Sequence, residues 1–149
     1  MDILTAENAI VTRLEDQIKS TLTSDLSAPK FESFPQDPET YLENINPQGA
    51  ILVRLENGDA TVPIPNRESV VVQDISTNWG IYIVHPQLVT HTGVYEWMRK
   101  IKDALTGWAI TELPESTPLY MTQFGFVEES GGIWMYQMIF RQGLEESEA

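Results

Sequence analysis

The feature that most constrains this chain lies near its end. Tyr120, Phe124 and Phe126 are answered by Trp134, Tyr136, Met138 and Phe140 across Glu129-Ser130-Gly131-Gly132. All these aromatic and methionine positions are even-numbered, and alternate residues of a strand share one face. The pattern predicts a hairpin with one aromatic face. Such a face needs a second layer to cover it, and helices with one apolar stripe are the usual partners.

Two segments supply such stripes. Ile3, Ala6, Ile10, Leu14, Ile18 and Leu22, with Val11 on the flank, follow a 3.6-residue period and predict a helix from about Ile3 to Leu22. Asp2 or Thr5 can cap its start, and Thr23-Ser24-Asp25 with Ser27-Ala28-Pro29 ends it. Val94, Trp97, Met98, Ile101, Leu105 and Trp108 form the second stripe. It predicts a helix over Gly93 to Leu105, capped by Thr92 and stopped at Thr106-Gly107.

The middle of the chain reads as strands and loops. Pro35 to Pro47 has the composition of an ordered but irregular loop, tethered by Tyr41 and Leu42. Ala50 to Leu55 predicts a strand running into a tight turn at Asn57-Gly58-Asp59. Pro63 and Pro65 keep Ala60 to Asn66 out of any central strand and suit a protruding loop or edge segment. Ser69 to Ile75 and Trp79 to Val84 are either two strands or one strand bent by a bulge near Asn78 and Gly80. Glu145, Glu146 and Glu148 read as a frayed acidic tail over about 143–149. The order of elements predicts an α+β single domain over 1–149, a mixed and mostly antiparallel sheet with two main helices packed on it.

Composition narrows the function classes. The chain has 149 residues with no cysteine, which excludes disulfides, thiolate zinc sites and cysteine nucleophiles. Nine Lys and Arg against 22 Asp and Glu give a formal charge of −13, which repels phosphate backbones and anionic lipid. Neither nucleic-acid binding nor membrane association is expected. No apolar run approaches the roughly 18 residues of a membrane span, and Met1-Asp2-Ile3-Leu4 lacks the basic start of a secretory signal, so the expected compartment is the cytosol. Arg99, Lys100 and Lys102 form the one basic cluster, too small for a nucleic-acid footprint and suited to acids on a neighbouring surface.

The chain carries no strong catalytic motif. His85 and His91 stand six positions apart, without HxxxH or HExxH spacing, and read as structural or solvent-facing. No GxGxxG or GxxxxGK[ST] string is present to cradle phosphate. Asp37 with Glu39, and Glu128 with Glu129, are carboxylate pairs that ordinary acidic loops also produce. No catalytic residue, cofactor or metal is therefore expected. Trp97, Trp108 and Trp134 fit core positions, whereas Trp79 follows the polar Ser76-Thr77-Asn78 and is a candidate subunit anchor. Exposed loops commonly carry binding surfaces, so Asp59, Pro63, Pro65 and Asn66 are candidate interface residues beside Trp79.

Several of these features occur together in a known order. The N-terminal helix, Glu32-Ser33-Phe34-Pro35, Gly49-Ala50-Ile51-Leu52-Val53-Arg54, Gln73 before the central strand, the helix ending near Leu105-Thr106-Gly107 and the aromatic strand from Trp134 to Phe140 succeed one another along nearly the whole chain. In this the chain resembles the Mu-like prophage family of tail terminator proteins. The resemblance implies an α/β sandwich fold and a structural virion protein at the tail and neck of a contractile phage tail, assembled in the host cytoplasm. It implies a homohexameric ring that caps the tail tube and sheath, stops polymerisation and meets a neck or head-completion protein. DNA would pass the channel without specific binding; the charge of −13 suits either carboxylates on the channel wall that keep DNA from sticking or acids on the ring exterior. The alternative from another class is a small-molecule-binding α+β regulatory domain, monomeric or dimeric, with an apolar pocket between the helices and the aromatic hairpin.

Overall fold

The computed structural model describes residues 2–19, 29–45, 47–60, 71–86 and 92–148. Its elements are α1 (Ile3–Ile18), β1 (Lys30–Ser33), α2 (Pro38–Glu43), β2 (Ala50–Ala60), β3 (Val71–His85), α3 (Thr92–Leu105), β4 (Tyr120–Ser130) and β5 (Ile133–Glu148). The five strands form one sheet in the order β1-β2-β3-β5-β4. β1 pairs with β2 in parallel and every other pair is antiparallel, so the sheet is mixed and mostly antiparallel, as the sequence predicts.

The two predicted helices cover one face. Ala6, Ile10, Leu14 and Ile18 of α1 are fully buried at the predicted spacing. Burying each of the three larger side chains stabilises by roughly 1.5–3 kcal/mol, enough to hold a helix of ordinary propensity. Asp2 caps α1 through a bond from Thr5 N at 2.8 Å. Val94, Trp97, Ile101 and Leu105 of α3 join the same core, which also takes Ile51, Val53, Trp79, Ile81, Ile83, Tyr136, Met138 and Phe140 from the sheet. The helices are tied at their flank by Arg13, whose Nε donates to Ala104 O at 3.0 Å, satisfying a carbonyl at the end of α3. Trp108 lies beyond that end and stacks under the Arg13 guanidinium, 5.2 Å from its carbon to the ring centre.

The opposite face carries a smaller core of Ala50, Leu52, Tyr82, Val84 and Met135. It is partly roofed by α2, where an irregular loop is expected from sequence. Asp37 caps α2 by accepting from Thr40 N at 3.2 Å, and Pro38 occupies its first turn. Tyr41 and Leu42 do tether the segment, packing on this second core.

Three other expectations change. β2 does not turn at Asn57-Gly58-Asp59 but runs through it to Ala60, with an irregularity between Leu55 and Asn57. The polar side chains there find partners on the sheet surface: Asn78 Nδ2 donates to Asn57 Oδ1 at 2.6 Å, and Arg141 lies 3.6 Å from Asp59. β3 is one continuous strand. The acidic end is not a frayed tail, because β5 continues to Glu148 and its residues 145–148 pair with 74–71 of β3. Finally, Tyr120 does not share the face of Phe124 and Phe126. A register shift between Met121 and Gln123 sets Tyr120 opposite Arg141, and Met121 takes its place opposite Phe140.

Candidate interaction surface

The strings Phe31-Glu32-Ser33-Phe34 and Gly49 to Arg54 are far apart in sequence yet form one unit. Parallel pairing sets Phe31 beside Ile51 and Ser33 beside Val53, and Phe34 N donates to Val53 O at 2.8 Å. Gly49 enters this unit at φ +82°, and a Cβ there would stand 2.6 Å from Val84 O, so only glycine fits. The Arg54 guanidinium sits over Phe34 at 4.7 Å and over Tyr82 at 4.9 Å.

Around Arg54 the strands assemble a polar network that sequence reasoning missed. Arg54 Nε donates to Glu56 Oε1 at 2.9 Å, Arg54 Nη2 to Tyr82 Oη at 3.0 Å, and Gln137 Nε2 to the same hydroxyl at 2.8 Å. The Tyr82 hydroxyl donates in turn to Glu56. Burial, followed by the Glu56 carboxylate, raises the Tyr82 pKa, and the hydrogen bond to Glu56 raises that of Arg54. Gly80 makes room for the carboxylate, since a Cβ at that position would lie 2.0 Å from Glu56 Oε1. These bonds link β2, β3 and β5 side chain to side chain, so the network fixes the sheet surface.

Of the carboxylates singled out from sequence, Glu39 and Glu128 border one surface pocket, whereas Asp37 and Glu129, like His85, have structural roles. Asp37 caps α2, and its hydrogen bonds from Thr40 lower its pKa. Glu129 Oε1 accepts from Gly132 N at 2.8 Å and closes the β4–β5 turn. His85 is buried with its ring 5.8 Å from that of Trp97, and burial lowers its pKa. His91 lies outside the described residues, as do Pro63, Pro65 and Asn66. Among the described residues no group of acids and histidines is arranged to hold a metal ion.

Trp79 is not at the surface. It is 0 % exposed, on the same alternating face as Ile81 and Ile83, and packs beneath the helices. Thr77, two residues earlier on the same face, is buried as well, its hydroxyl donating to Gln142 O at 3.3 Å, and the period of two places the indole inward. Asp59 is exposed near the end of β2, in a strand rather than a turn, 3.6 Å from Arg141.

The bare apolar surface is elsewhere, along β4. This strand is an edge of the sheet, and α3 does not reach over it. Phe124 is 62 % exposed, Phe126 54 % and, on α3, Tyr95 57 %. Phe126 packs edge-on to Tyr136 at 5.6 Å, and Tyr95 to the same ring at 6.4 Å. Between them runs an open groove of about 530 Å³, floored by Tyr136 and Met138 and bordered by Met98, Arg99, Lys102 and Met121. The hairpin pattern predicts this face for Phe124 and Phe126 but not for the displaced Tyr120, and only the β5 half of it is covered. A contiguous aromatic patch on an uncovered edge strand is the candidate interaction surface of this fold.

No helix among the described residues is long and apolar enough to cross a membrane. No curated protein matches the chain. Among solved structures, a chain from the virion of a native gene transfer agent (GTA) particle has the same fold, with a TM-score of 0.59 and 15 % identity over 97 % of this chain and 96 % of that one. The model of the Gp37 protein family matches residues 18–143, from the last residue of α1 well into β5, and the chain therefore belongs to the Gp37 family.

Proposed function

We propose that this protein is a structural component of a phage-type virion, a tail terminator whose hexameric ring caps the tube and sheath of a contractile tail, stops their polymerisation and joins the tail to the neck. The observation that carries this reading is the end-to-end likeness of fold to a chain of a virion particle, which leaves almost no part of either chain unmatched. The order of motifs resembling Mu-like tail terminators supports the finer role. The uncovered β4 edge supports assembly, and the structural roles of Asp37, Glu129 and His85 leave those residues no catalytic task. The protein acts by closing a surface, without a reaction or a cofactor. Its partners are further copies of itself, tube and sheath subunits and a neck protein, with DNA passing through the ring. Acidic residues on the channel wall would repel that DNA, in keeping with the charge of −13.

A second reading has one observation in its favour. The groove beside α3 has a volume within the range of small-molecule sites, roughly 300–1,000 Å³, so a ligand-binding regulatory domain remains the competitor. Light scattering and negative-stain imaging of the protein, alone and with purified tail tubes, separate the two. Six-fold rings, or caps confined to one tube end, are the expected result. Protein that stays monodisperse and never touches a tube refutes the terminator role and favours the ligand-binding domain.

A further inference from the structure

We propose that the α3–β4 edge of one copy docks on the α1–β1 edge of the next, so that one repeated contact between unlike faces closes the ring. This rests on the terminator reading above and names the surface by which it operates.

The two edges of the sheet are chemically complementary. On α3, Tyr95, Arg99 and Lys102 follow one another at helical spacing along the aromatic groove, and all three are exposed. Arg99 and Lys102 have no ion-pair partner among the described residues. At the other edge, Leu4, Glu7, Val11 and Glu15 fall along one side of α1. That side faces β1, because Ser33 Oγ donates to Glu7 at 3.1 Å, whereas Arg13 on the opposite side reaches α3. Leu4 is 66 % exposed, an apolar side chain one helical turn from the Glu7 carboxylate. One edge therefore offers an aromatic groove with two cations, and the other offers aliphatic side chains with two anions.

Strand directions allow the contact without any reversal. β1 and β5 run alike, since β1 is parallel to β2 and both β2 and β5 are antiparallel to β3. β4 is antiparallel to β5 and therefore to β1. A second copy placed in the same orientation beyond β4 brings its β1 alongside as an antiparallel neighbour. Its α1 then lies on the same face as α3, next to the groove. A heterologous contact of this kind forms a ring when its rotation closes.

The test is a paired charge reversal. Arg99→Glu with Lys102→Glu reverses one face, and Glu7→Lys with Glu15→Lys reverses the other. Each variant alone should need about a hundredfold or more protein to form rings or tube caps, because like charges then meet at every contact. Mixed in equal amounts, the two should assemble again as alternating rings, a rescue that misfolded chains cannot give. Rings from Arg99→Glu/Lys102→Glu at the unmodified concentration overturn this interface and leave the terminator role standing. Loss of assembly in both variants with no rescue on mixing also overturns the pairing and assigns the groove to another partner. An unmodified chain that stays monomeric with and without tail tubes overturns both.

Discussion

Gly80→Ala should destabilise the fold by about 2 kcal/mol, although it adds one methyl group to a strand where alanine is ordinarily preferred over glycine. The added carbon would stand 2.0 Å from Glu56 Oε1, 2.8 Å from Glu56 Cδ and 2.8 Å from Tyr82 Cε2. The carboxylate must leave, and with it go its bonds from Arg54 and from the Tyr82 hydroxyl. Hydrogen bonds to charged groups are worth about 1.5–3 kcal/mol each when well buried. Here Arg54 is 44 % exposed, so its ion pair adds no more than roughly 1 kcal/mol. The removal of a strand glycine returns about 0.5–1 kcal/mol by restricting the unfolded chain. In a Glu56→Ala background there is no carboxylate to displace, and the same substitution should cost less than about 1 kcal/mol. The coupling between the two sites, measured by urea unfolding of the four proteins in a double-mutant cycle, should therefore be about 1–2 kcal/mol. Equal cost in both backgrounds would refute the placement of Glu56 over Gly80.

Three further outcomes follow from the core and its edge. Trp79→Ala should lower the stability of the monomer by about 3–5 kcal/mol in urea unfolding, because the indole is wholly buried; a change confined to assembly would place it at an interface instead. Phe124→Ser should alter monomer stability by less than about 0.5–1 kcal/mol while impairing ring or cap formation in negative stain, and normal caps would count against the β4 edge. Burial lowers the folded pKa of His85, so the unfolded chain binds more protons below the ordinary histidine value of 6.5. Its contribution should be present in full above about pH 6.5 and be lost as pH falls below it. Unfolding curves of wild type and His85→Gln between pH 7.5 and 5 should differ in slope, and parallel curves would show that the buried ring does not titrate in this way.

Residues whose positions depend on local periodicity were legible in the sequence. The stripe of Ala6, Ile10, Leu14 and Ile18 and that of Val94, Trp97, Ile101 and Leu105 each reveal a helix, because a single face does all the burying. The same logic placed Tyr136, Met138 and Phe140 on one face of β5. Trp79 is the exception: its polar neighbours suggested a subunit anchor, but its alternation with Ile81 and Ile83 turns it into the core. What stayed hidden depends on partners distant in sequence. Asn57-Gly58-Asp59 has the composition of a turn, and only pairing with residues 76–78 of β3 makes it a strand. The signal for α2 was present in Asp37-Pro38-Glu39, a cap followed by proline in the first turn, but the surrounding prolines favoured a loop. The Arg54–Glu56–Tyr82–Gln137 network spans three strands, and no spacing within any one of them announces it. The aromatic surface was half legible: alternation gave Phe124 and Phe126 their face, while the reach of α3 decided that they stay bare.

The charge of the chain bears on how such a surface can work. At −13, copies repel one another at long range, which opposes any assembly driven by overall attraction. That repulsion decays over a Debye length of about 8 Å at physiological ionic strength, whereas contacts inside a desolvating interface are screened far less. Association is then decided by what touches. Only nine side chains are formally cationic, and Arg99, Lys100 and Lys102 fall within one turn of α3, with Arg99 and Lys102 bordering the aromatic groove. Two cations beside apolar surface allow one edge to accept an acidic neighbour while the remainder of the molecule refuses it. The proposed terminator, joining copies of itself in a single geometry and then stopping, would need that combination of general repulsion and one permitted contact.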